Sequence, residues 1–451
     1  MIPTPRLLIA LLAIALPLAL GQLLPGLEVL TPVVLLAVLV ALALDWRWTP
    51  APARMEVRRE HESRLSLGTD NTIRVHLNNR SRREIKVWVR DEYPHLLRSS
   101  AIVLETAVAP ESATLVSYTL WPPRRGDFRF GDVNLRYQSA LGLFLRQARY
   151  PAAVTVKVYP NLLAMRHLDV VARRSTDDAA GLRLTRHSGQ GTEFERLRDY
   201  VSDDDERRIN WKATARRGKP VSMEYESERS QNLVLMLDCG RLMAATANDL
   251  TKLDHALNTA LLLAHSATRR GDRVALVAFA DRVEMYMPPR RGRRWLFAML
   301  DALHAQQAHA VESDYARAFA WLAVQRLRRS LVVLFTDLAE PAACRELVAN
   351  LARAARHHLF VCVTLSDPAI QAPAARSPRD SQMLYEKAVA QRLLEERREV
   401  LAELRARGVV SIDVPSERLL AAVRYLRTLR PSHSSSRAQS GWDFTAAWDR
   451  G

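Results

Sequence analysis

Two apolar stretches at the amino terminus constrain this chain more than any other feature. Leu7–Leu24 is interrupted only by Gln22, and Leu27–Leu44 only by Glu28 and Thr31. Each runs about 18 residues, close to the minimum for a helix that crosses a bilayer core at 1.5 Å per residue. Pro25-Gly26 between them favours a tight turn. Arg6 precedes the first stretch, and Arg47, Arg54, Arg58 and Arg59 follow the second. Basic flanks stay on the cytoplasmic side, so a transmembrane hairpin over residues 1–48 is expected, with both termini and the main body cytoplasmic. A cleaved signal peptide is the competing reading. Its charged region would be a single arginine with no small-x-small site after the apolar run, and the second stretch would still stop transfer.

Composition narrows the partners. The chain has 451 residues and a formal charge of +16, with the arginines dispersed rather than gathered into a basic run. A nucleic-acid footprint would show basic clustering interleaved with aromatics, so nucleic acid is not expected as a partner. A body held against an anionic inner leaflet accounts for the excess. Cys239, Cys344 and Cys362 form no CxxC pair, which argues against a disulfide framework and a cysteine-built zinc site and fits a reducing compartment.

Past the membrane segment the periodicity changes twice. Over residues 49–165, Ile73, Val75 and Leu77, then Ile85, Val87 and Val89, alternate with polar residues. Period-two runs separated by turn residues predict an antiparallel, sandwich-like β domain. Arg125-Gly126-Asp127 reads as a turn between strands rather than an adhesion motif. Residues 166–230 are charged and weakly periodic, with Phe194, Leu197, Tyr200, Ile209 and Trp211 set among acids and arginines. Such a segment is expected to pack on the following domain, burying Phe194 and Trp211. Over 231–430, short apolar runs such as Leu233–Leu237 and Leu331–Phe335 alternate with helical patterns such as Lys252–Arg270 and Met383–Arg407. That order predicts an α/β doubly wound parallel sheet covered on both faces. The Ser/Arg-rich tail, 431–451, is expected to be disordered.

One stretch is distinctive enough to suggest a family. Glu193, Phe194, Leu197, Arg198 and Tyr200 follow Gly191, and Asp204, Arg207, Ile209, Trp211, Ala215 and Arg216 follow them. With Arg125-Gly126, Leu141-Gly142-Leu143-Phe144 and Val158-Tyr159-Pro160 upstream, the chain resembles the bacterial family called domain of unknown function fifty-eight. Asp203 departs from it, standing where the family usually has glycine. The resemblance implies a von Willebrand factor A-like fold for the last domain and association with MoxR-type AAA+ ATPases in assembling or remodelling protein complexes or the envelope.

In a doubly wound sheet ligands bind at the carboxyl ends of the strands. Asp238 follows the first strand of the domain and Asp337 a later one. Two acids at neighbouring strand ends could share Mg²⁺, a hard cation that takes oxygen ligands. The resemblance implies a D-x-S-x-S metal site at this place, but the chain reads Asp238-Cys239-Gly240-Arg241-Leu242. Both serines are lost. Ser313 stands where the distant hydroxyl ligand belongs, and Asp337 matches the later acid. The expectation is a degenerate site (Asp238, Ser313, Asp337) without a resident cofactor, in which Arg241 pairs with Asp337. No P-loop, H-E-x-x-H or G-x-S-x-G sequence occurs, so no catalytic residue is assigned. The expected function is partner binding through Arg241 and Asp337, on the loops Asp238–Met243 and Asp337–Glu340. Arg290, Arg291, Arg293 and Arg294 would add a basic rim if they fold toward the same edge. The alternatives are a metal-dependent hydrolase using Asp238 and Asp337, and a basic nucleic-acid binder.

Overall fold

The computed structural model describes residues 2–21, 29–161, 193–200, 209–226, 231–338, 341–415 and 419. These fall into two compact units, residues 1–163 and 164–451, taken separately below.

The first unit opens with helices α1 (Pro5–Gly21) and α2 (Leu30–Trp48), which touch each other. Helix α2 is long and apolar enough to cross a membrane, and α1 is a shorter apolar helix. The expected Pro25-Gly26 turn lies outside the described residues. Strands β1 (Met55–Glu60), β2 (Asn71–Asn79), β3 (Ile85–Asp91), β4 (Leu104–Val108) and β5 (Ser112–Trp121) follow. They lead into β6 (Gly126–Phe130), β7 (Val133–Gln138), β8 (Phe144–Tyr150) and β9 (Val154–Tyr159). One sheet carries β8-β7-β3-β4 in that order, another β1-β2-β5, and β9 pairs with β6 in a third. The alternating residues Ile73, Val75, Leu77, Ile85, Val87 and Val89 are all buried, as the period of two requires. Gly126 opens β6 at φ +129, so Arg125-Gly126-Asp127 is a strand entry.

Two buried polar clusters tie this unit together. Asp91 on β3 accepts from Arg59 Nε at 2.8 Å and from the Tyr118 hydroxyl at 2.6 Å, joining two sheets. Asp45, near the end of α2, is fully buried. Its carboxylate accepts from Ser139 Oγ at 2.6 Å and from the backbone N–H groups of Leu141 and Leu143. The same turn holds the amino terminus: Thr4 Oγ1 donates to the Gly142 carbonyl at 2.7 Å, and Ile2–Pro3 pairs with β8. The Leu141-Gly142-Leu143-Phe144 stretch is therefore the seat of α2.

In the second unit, β10 (Glu193–Asp199) and β11 (Val221–Glu226) form a hairpin that carries helix α3 (Trp211–Arg217). Asn210 caps α3 by accepting from Ala213 N–H, and Gly218 closes it at φ +66. Strands β12 (Asn232–Asp238), β13 (Arg273–Phe279), β14 (Val283–Arg290), β15 (Leu331–Thr336), β16 (Leu359–Ser366) and β17 (Val410–Pro415) make one six-stranded sheet. Its order is β14-β13-β12-β15-β16-β17, antiparallel only at β14. The parallel strands are buried along almost their whole length. That is why they read as continuous apolar runs rather than alternations. Helices α4 (Lys252–Arg269), α5 (Arg293–Ala305), α6 (Tyr315–Val324), α7 (Pro341–Ala354), α8 (Pro368–Ala375) and α9 (Ser381–Ala406) connect them. The Ser/Arg-rich tail, 431–451, lies outside the described residues.

The order reverses at β12: the chain moves one way to β13 and β14, then returns on the other side of β12 to β15. The crevice at the carboxyl ends of β12 and β15 is therefore the topological switch point, where such sheets bind ligands. Asp238 ends β12, and Asp337 follows β15.

Candidate functional site at the carboxyl edge

The two acids at the switch point have opposite environments. Asp238 is 1% exposed. Its Oδ1 accepts from Gly240 N–H at 2.8 Å and from Ser313 Oγ. Its Oδ2 accepts from Thr336 Oγ1 at 2.6 Å and from the Tyr315 hydroxyl at 3.0 Å. Burial pushes this carboxyl up, opposed by the hydroxyls and the Gly240 amide around it. A Cβ at Gly240 would meet Ser313 Oγ, so any side chain there would require Ser313 to shift. Ser313 thus fills the space beside Gly240.

Asp337 is held by cations. Lys252 Nζ donates to its Oδ2 at 2.7 Å. Arg397 donates to its Oδ1 at 2.7 Å, and the Leu338 N–H to the same oxygen at 2.8 Å. Burial alone would raise the Asp337 carboxyl, but the Arg397 and Lys252 charges outweigh it and hold it below the usual range. Lys252 also pairs with Asp367 at 3.0 Å, so burial fails to depress its ammonium and the two acids raise it instead. The Arg397 guanidinium is used on every side: it donates to Asp413 at 2.8 Å and to the carbonyls of Leu338 and Leu365.

The position of Lys252 is unusual. It is the first residue of α4, behind a capping box in which Thr251 and Asp254 exchange hydrogen bonds. A helix amino terminus carries partial positive charge and disfavours an ammonium there. Asp337 and Asp367 offset that cost, so the lysine belongs to the acid cluster rather than to the helix. Sequence reasoning missed Lys252, Asp367, Arg397 and Asp413. A lysine just after a threonine cap, where acids are preferred, is the one local signal. Arg397 sits in a run of charges in α9 and carries none.

Three expectations need correction. Arg241 does not take Asp337: it donates to Glu312 at 3.0 Å, because Lys252 and Arg397 already surround Asp337. The arginines at 290–294 lie at the opposite edge. Arg290 pairs with Val274 at the start of β13, and Trp295 Nε1 donates to the Val274 carbonyl at 2.8 Å. An antiparallel β14 returns the chain to the amino end of the sheet, which excludes them from the switch point. Trp211 is not buried: at the first position of the short α3 it is 70% exposed.

Of the other signature residues, Glu193, Phe194, Leu197 and Arg198 lie along the backbone of β10, and Tyr200 N–H donates to the Pro220 carbonyl. Ile209 bridges to Ser222, and Arg216 sits in the exposed last turn of α3. The side chains of 193–198, and Asp204 and Arg207 altogether, lie outside the described residues.

Asp238 and Ser313 are thus in contact, as the degenerate site requires, but the donor set does not fit a hard divalent cation. Mg²⁺ wants octahedral oxygen ligands, whereas both oxygens of each acid already accept from protein donors. Among the described residues no group of three or more acids, histidines or cysteines is placed to hold a metal. Millimolar MgCl₂ is expected to leave the melting temperature of the full chain unchanged. A rise of several degrees, abolished by Asp337→Ala, would overturn this.

Comparison with known proteins covers part of the chain. A family model described as "Protein of unknown function DUF58" matches residues 196–374, a span that holds β10 from Arg196, Asp238, Ser313 and Asp337 but not Arg397. The "Uncharacterized protein YeaD" of Bacillus subtilis (strain 168) is 27% identical over 204 residues, 45% of this chain and 48% of that protein. The chain therefore matches about half the length of that relative. The "Uncharacterized protein Rv1480" of Mycobacterium tuberculosis is 25% identical over 213 residues, 47% of this chain and 67% of that protein. Among solved structures, the conserved hypothetical protein BatB from Bacteroides thetaiotaomicron is 12% identical and covers 44% of this chain and 98% of that one, at a TM-score of 0.27. By these matches the chain is similar, from β10 through the carboxyl-edge acids, to the family of unknown function DUF58.

Proposed function

We propose that this chain is a membrane-anchored protein-binding module that works with a MoxR-type AAA+ ATPase. In this reading α1 and α2 form a transmembrane hairpin in a bacterial inner membrane, with both termini and the body cytoplasmic. The second unit is a von Willebrand factor A-like domain whose carboxyl edge meets the partner. The chain has no catalytic step of its own and acts by holding the ATPase beside its clients.

The observation that carries this reading is the construction of that edge. Asp337, Lys252, Arg397, Asp367 and Asp413 form a largely buried ion network beneath it. Arg241 and Glu312 stand above as a partly exposed pair, with side chains 46% and 72% accessible. A buried, ion-paired floor beneath a partly exposed charged rim suits recognition, because rim charges steer encounter and choose partners while the network holds the strand ends together. Asp337 is internal to the network, so the contact residue is Arg241 rather than Asp337.

Affinity capture with the full chain in detergent is expected to recover an AAA+ ATPase, less of it as salt rises. Arg241→Glu reverses the rim charge without touching the network and is expected to reduce recovery about tenfold, roughly 1.4 kcal/mol. Capture that survives Arg241→Glu would move the interface elsewhere. Capture of no ATPase would remove the named partner.

A further inference from the structure

Both apolar helices of the first unit are tied to the 139–144 turn. Asp45 of α2 accepts from Ser139 Oγ and from the N–H groups of Leu141 and Leu143. Thr4, just before α1, donates to the Gly142 carbonyl. The last turn of α2 is therefore held at the level where its apolar surface ends and the strands begin. Further back along α2, Leu36, Leu39 and Val40 are exposed.

Tryptophans and arginines collect at that level. Trp46 and Trp48 are 54% and 42% exposed. Residues two apart on a helix point about 200° from each other, so the two rings face nearly opposite sides of α2. Each ring carries an arginine from the strands. Arg146 of β8 lies over Trp46 at 5.1 Å, and Arg83, in the turn between β2 and β3, lies over Trp48 at 5.1 Å. Arg47 sits between the tryptophans in sequence and is exposed. Arg6, in the first turn of α1, reaches the Leu141 carbonyl at 3.4 Å.

The donors of these arginines are largely unspent. A guanidinium over an indole face is held by its charge rather than its N–H groups, so its planar donors are left for another acceptor. Arg146 gives Nη1 to the Pro50 carbonyl at 3.3 Å. The side chains of Arg47 and Arg83 make no hydrogen bond or ion pair among the described residues. Nearby acids do not balance the charge. Asp45 is buried and spent on the turn. Around the 79–84 turn, Glu56 pairs with Arg80 and Glu111 with Arg82, while Glu84 is exposed beside Arg83 in sequence. Even with Glu84 set against one arginine, a positive surplus remains.

Planar donors in surplus positive charge select a phosphate, which guanidinium groups bind through paired N–H bonds. The neighbouring surface says what carries the phosphate. Tryptophans at the end of an apolar helix sit at headgroup level, and the exposed leucines of α2 need acyl chains beside them. A free anion has no use for either. A zwitterionic headgroup brings its own ammonium, which the arginine surplus repels.

We propose that this collar docks anionic phospholipid. The lipid phosphate takes the donors of Arg47, Arg83 and Arg146, and the acyl chains lie against α2. This rests on the reading of α1 and α2 as a bilayer anchor, and it names the lipid class that the anchor prefers.

The probe is spin-labelled phosphatidylglycerol, compared with phosphatidylcholine carrying the same label. Each is added in trace to phosphatidylcholine vesicles that hold the full chain. Electron paramagnetic resonance separates lipid immobilised against the protein from bulk lipid. Phosphatidylglycerol is expected to be favoured about fivefold, and roughly 1 M NaCl should cut the preference below about twofold. Arg47→Gln, which breaks no bond among the described residues, is expected to reduce the preference to about half. Arg83→Gln combined with Arg146→Gln is expected to remove it, and the corresponding lysine pair to keep part of it, since the charge remains without the fork. Equal association of the two lipids with wild type, or a preference that survives both Arg47→Gln and the glutamine pair, would overturn the collar and leave the anchor in place. No immobilised lipid with either label would remove the anchor and the collar together. Millimolar glycerol phosphate is expected to leave the preference unchanged; its loss would mark a free-anion site and overturn lipid docking.

Discussion

Arg397→Met is expected to lower the stability of the second unit by about 3–5 kcal/mol, the usual result of removing one partner from a buried ion network. The substitution leaves Asp337 with Lys252 as its remaining cation, takes the guanidinium from Asp413, and deprives two carbonyls, Leu338 and Leu365, of a donor. For a unit of this size the melting temperature should fall on the order of 10 °C. Arg397→Lys should recover only part of the loss, because one ammonium cannot replace a planar fork used on every side.

The effect has a pH signature. Asp337 is depressed in the folded state, so its contribution is present above the ordinary carboxylate value and is lost as pH falls through the lower, folded one. The gap between wild type and Arg397→Met should therefore be widest near neutral pH and close as pH falls below about 4. Lys252 works in the other direction. Its raised value keeps its contribution intact below the ordinary lysine range, and that contribution is lost only as pH rises through the folded value. Thermal melts across pH 3–8 test the first limb. An unchanged melting temperature in Arg397→Met at pH 7 would show that the network is peripheral to stability and does not hold the strand ends together.

The second large effect is expected at the seat of α2. Asp45→Ala leaves the buried Ser139 Oγ and the partly buried N–H groups of Leu141 and Leu143 without an acceptor. Each orphaned donor costs about 1–3 kcal/mol, so a loss of roughly 3 kcal/mol from the first unit is a conservative expectation. Asp45→Asn keeps one acceptor oxygen and should lose about half as much. The readout is local. Limited proteolysis of the full chain in nanodiscs should cut the 139–144 turn faster in Asp45→Ala than in wild type, because that turn depends on the carboxylate for its backbone partners. An unchanged cutting rate would mean that the turn holds its shape without the helix. A buried acid at the end of an apolar helix thus makes α2 and the strands one piece.

How much of this was legible beforehand differs by element. Ile73–Leu77 and Ile85–Val89 declared their strands because one face of each is buried and the pleat alternates. Leu233–Leu237 and Leu331–Phe335 declared theirs by length and saturation with apolar residues, since helices cover both faces. The placement of Asp238 and Asp337 at the switch point followed from the strand order. Trp211 misled because an aromatic among charges reads as a buried anchor, whereas α3 is too short to cover it. Arg290–Arg294 misled because nothing in the connection after Val283 announces an antiparallel return.

The sequence by itself determined which segments are apolar, with what period, and hence the membrane-type helix, the alternating strands and the parallel sheet. Those properties are local, written in residues at most a few turns apart. Only the tertiary structure decided what neutralises Asp337. Lys252 lies 85 residues before it and Arg397 60 residues after it. An ion network is a property of proximity in space, and neither residue type nor spacing along the chain encodes which distant charges the closed sheet brings within hydrogen-bonding reach.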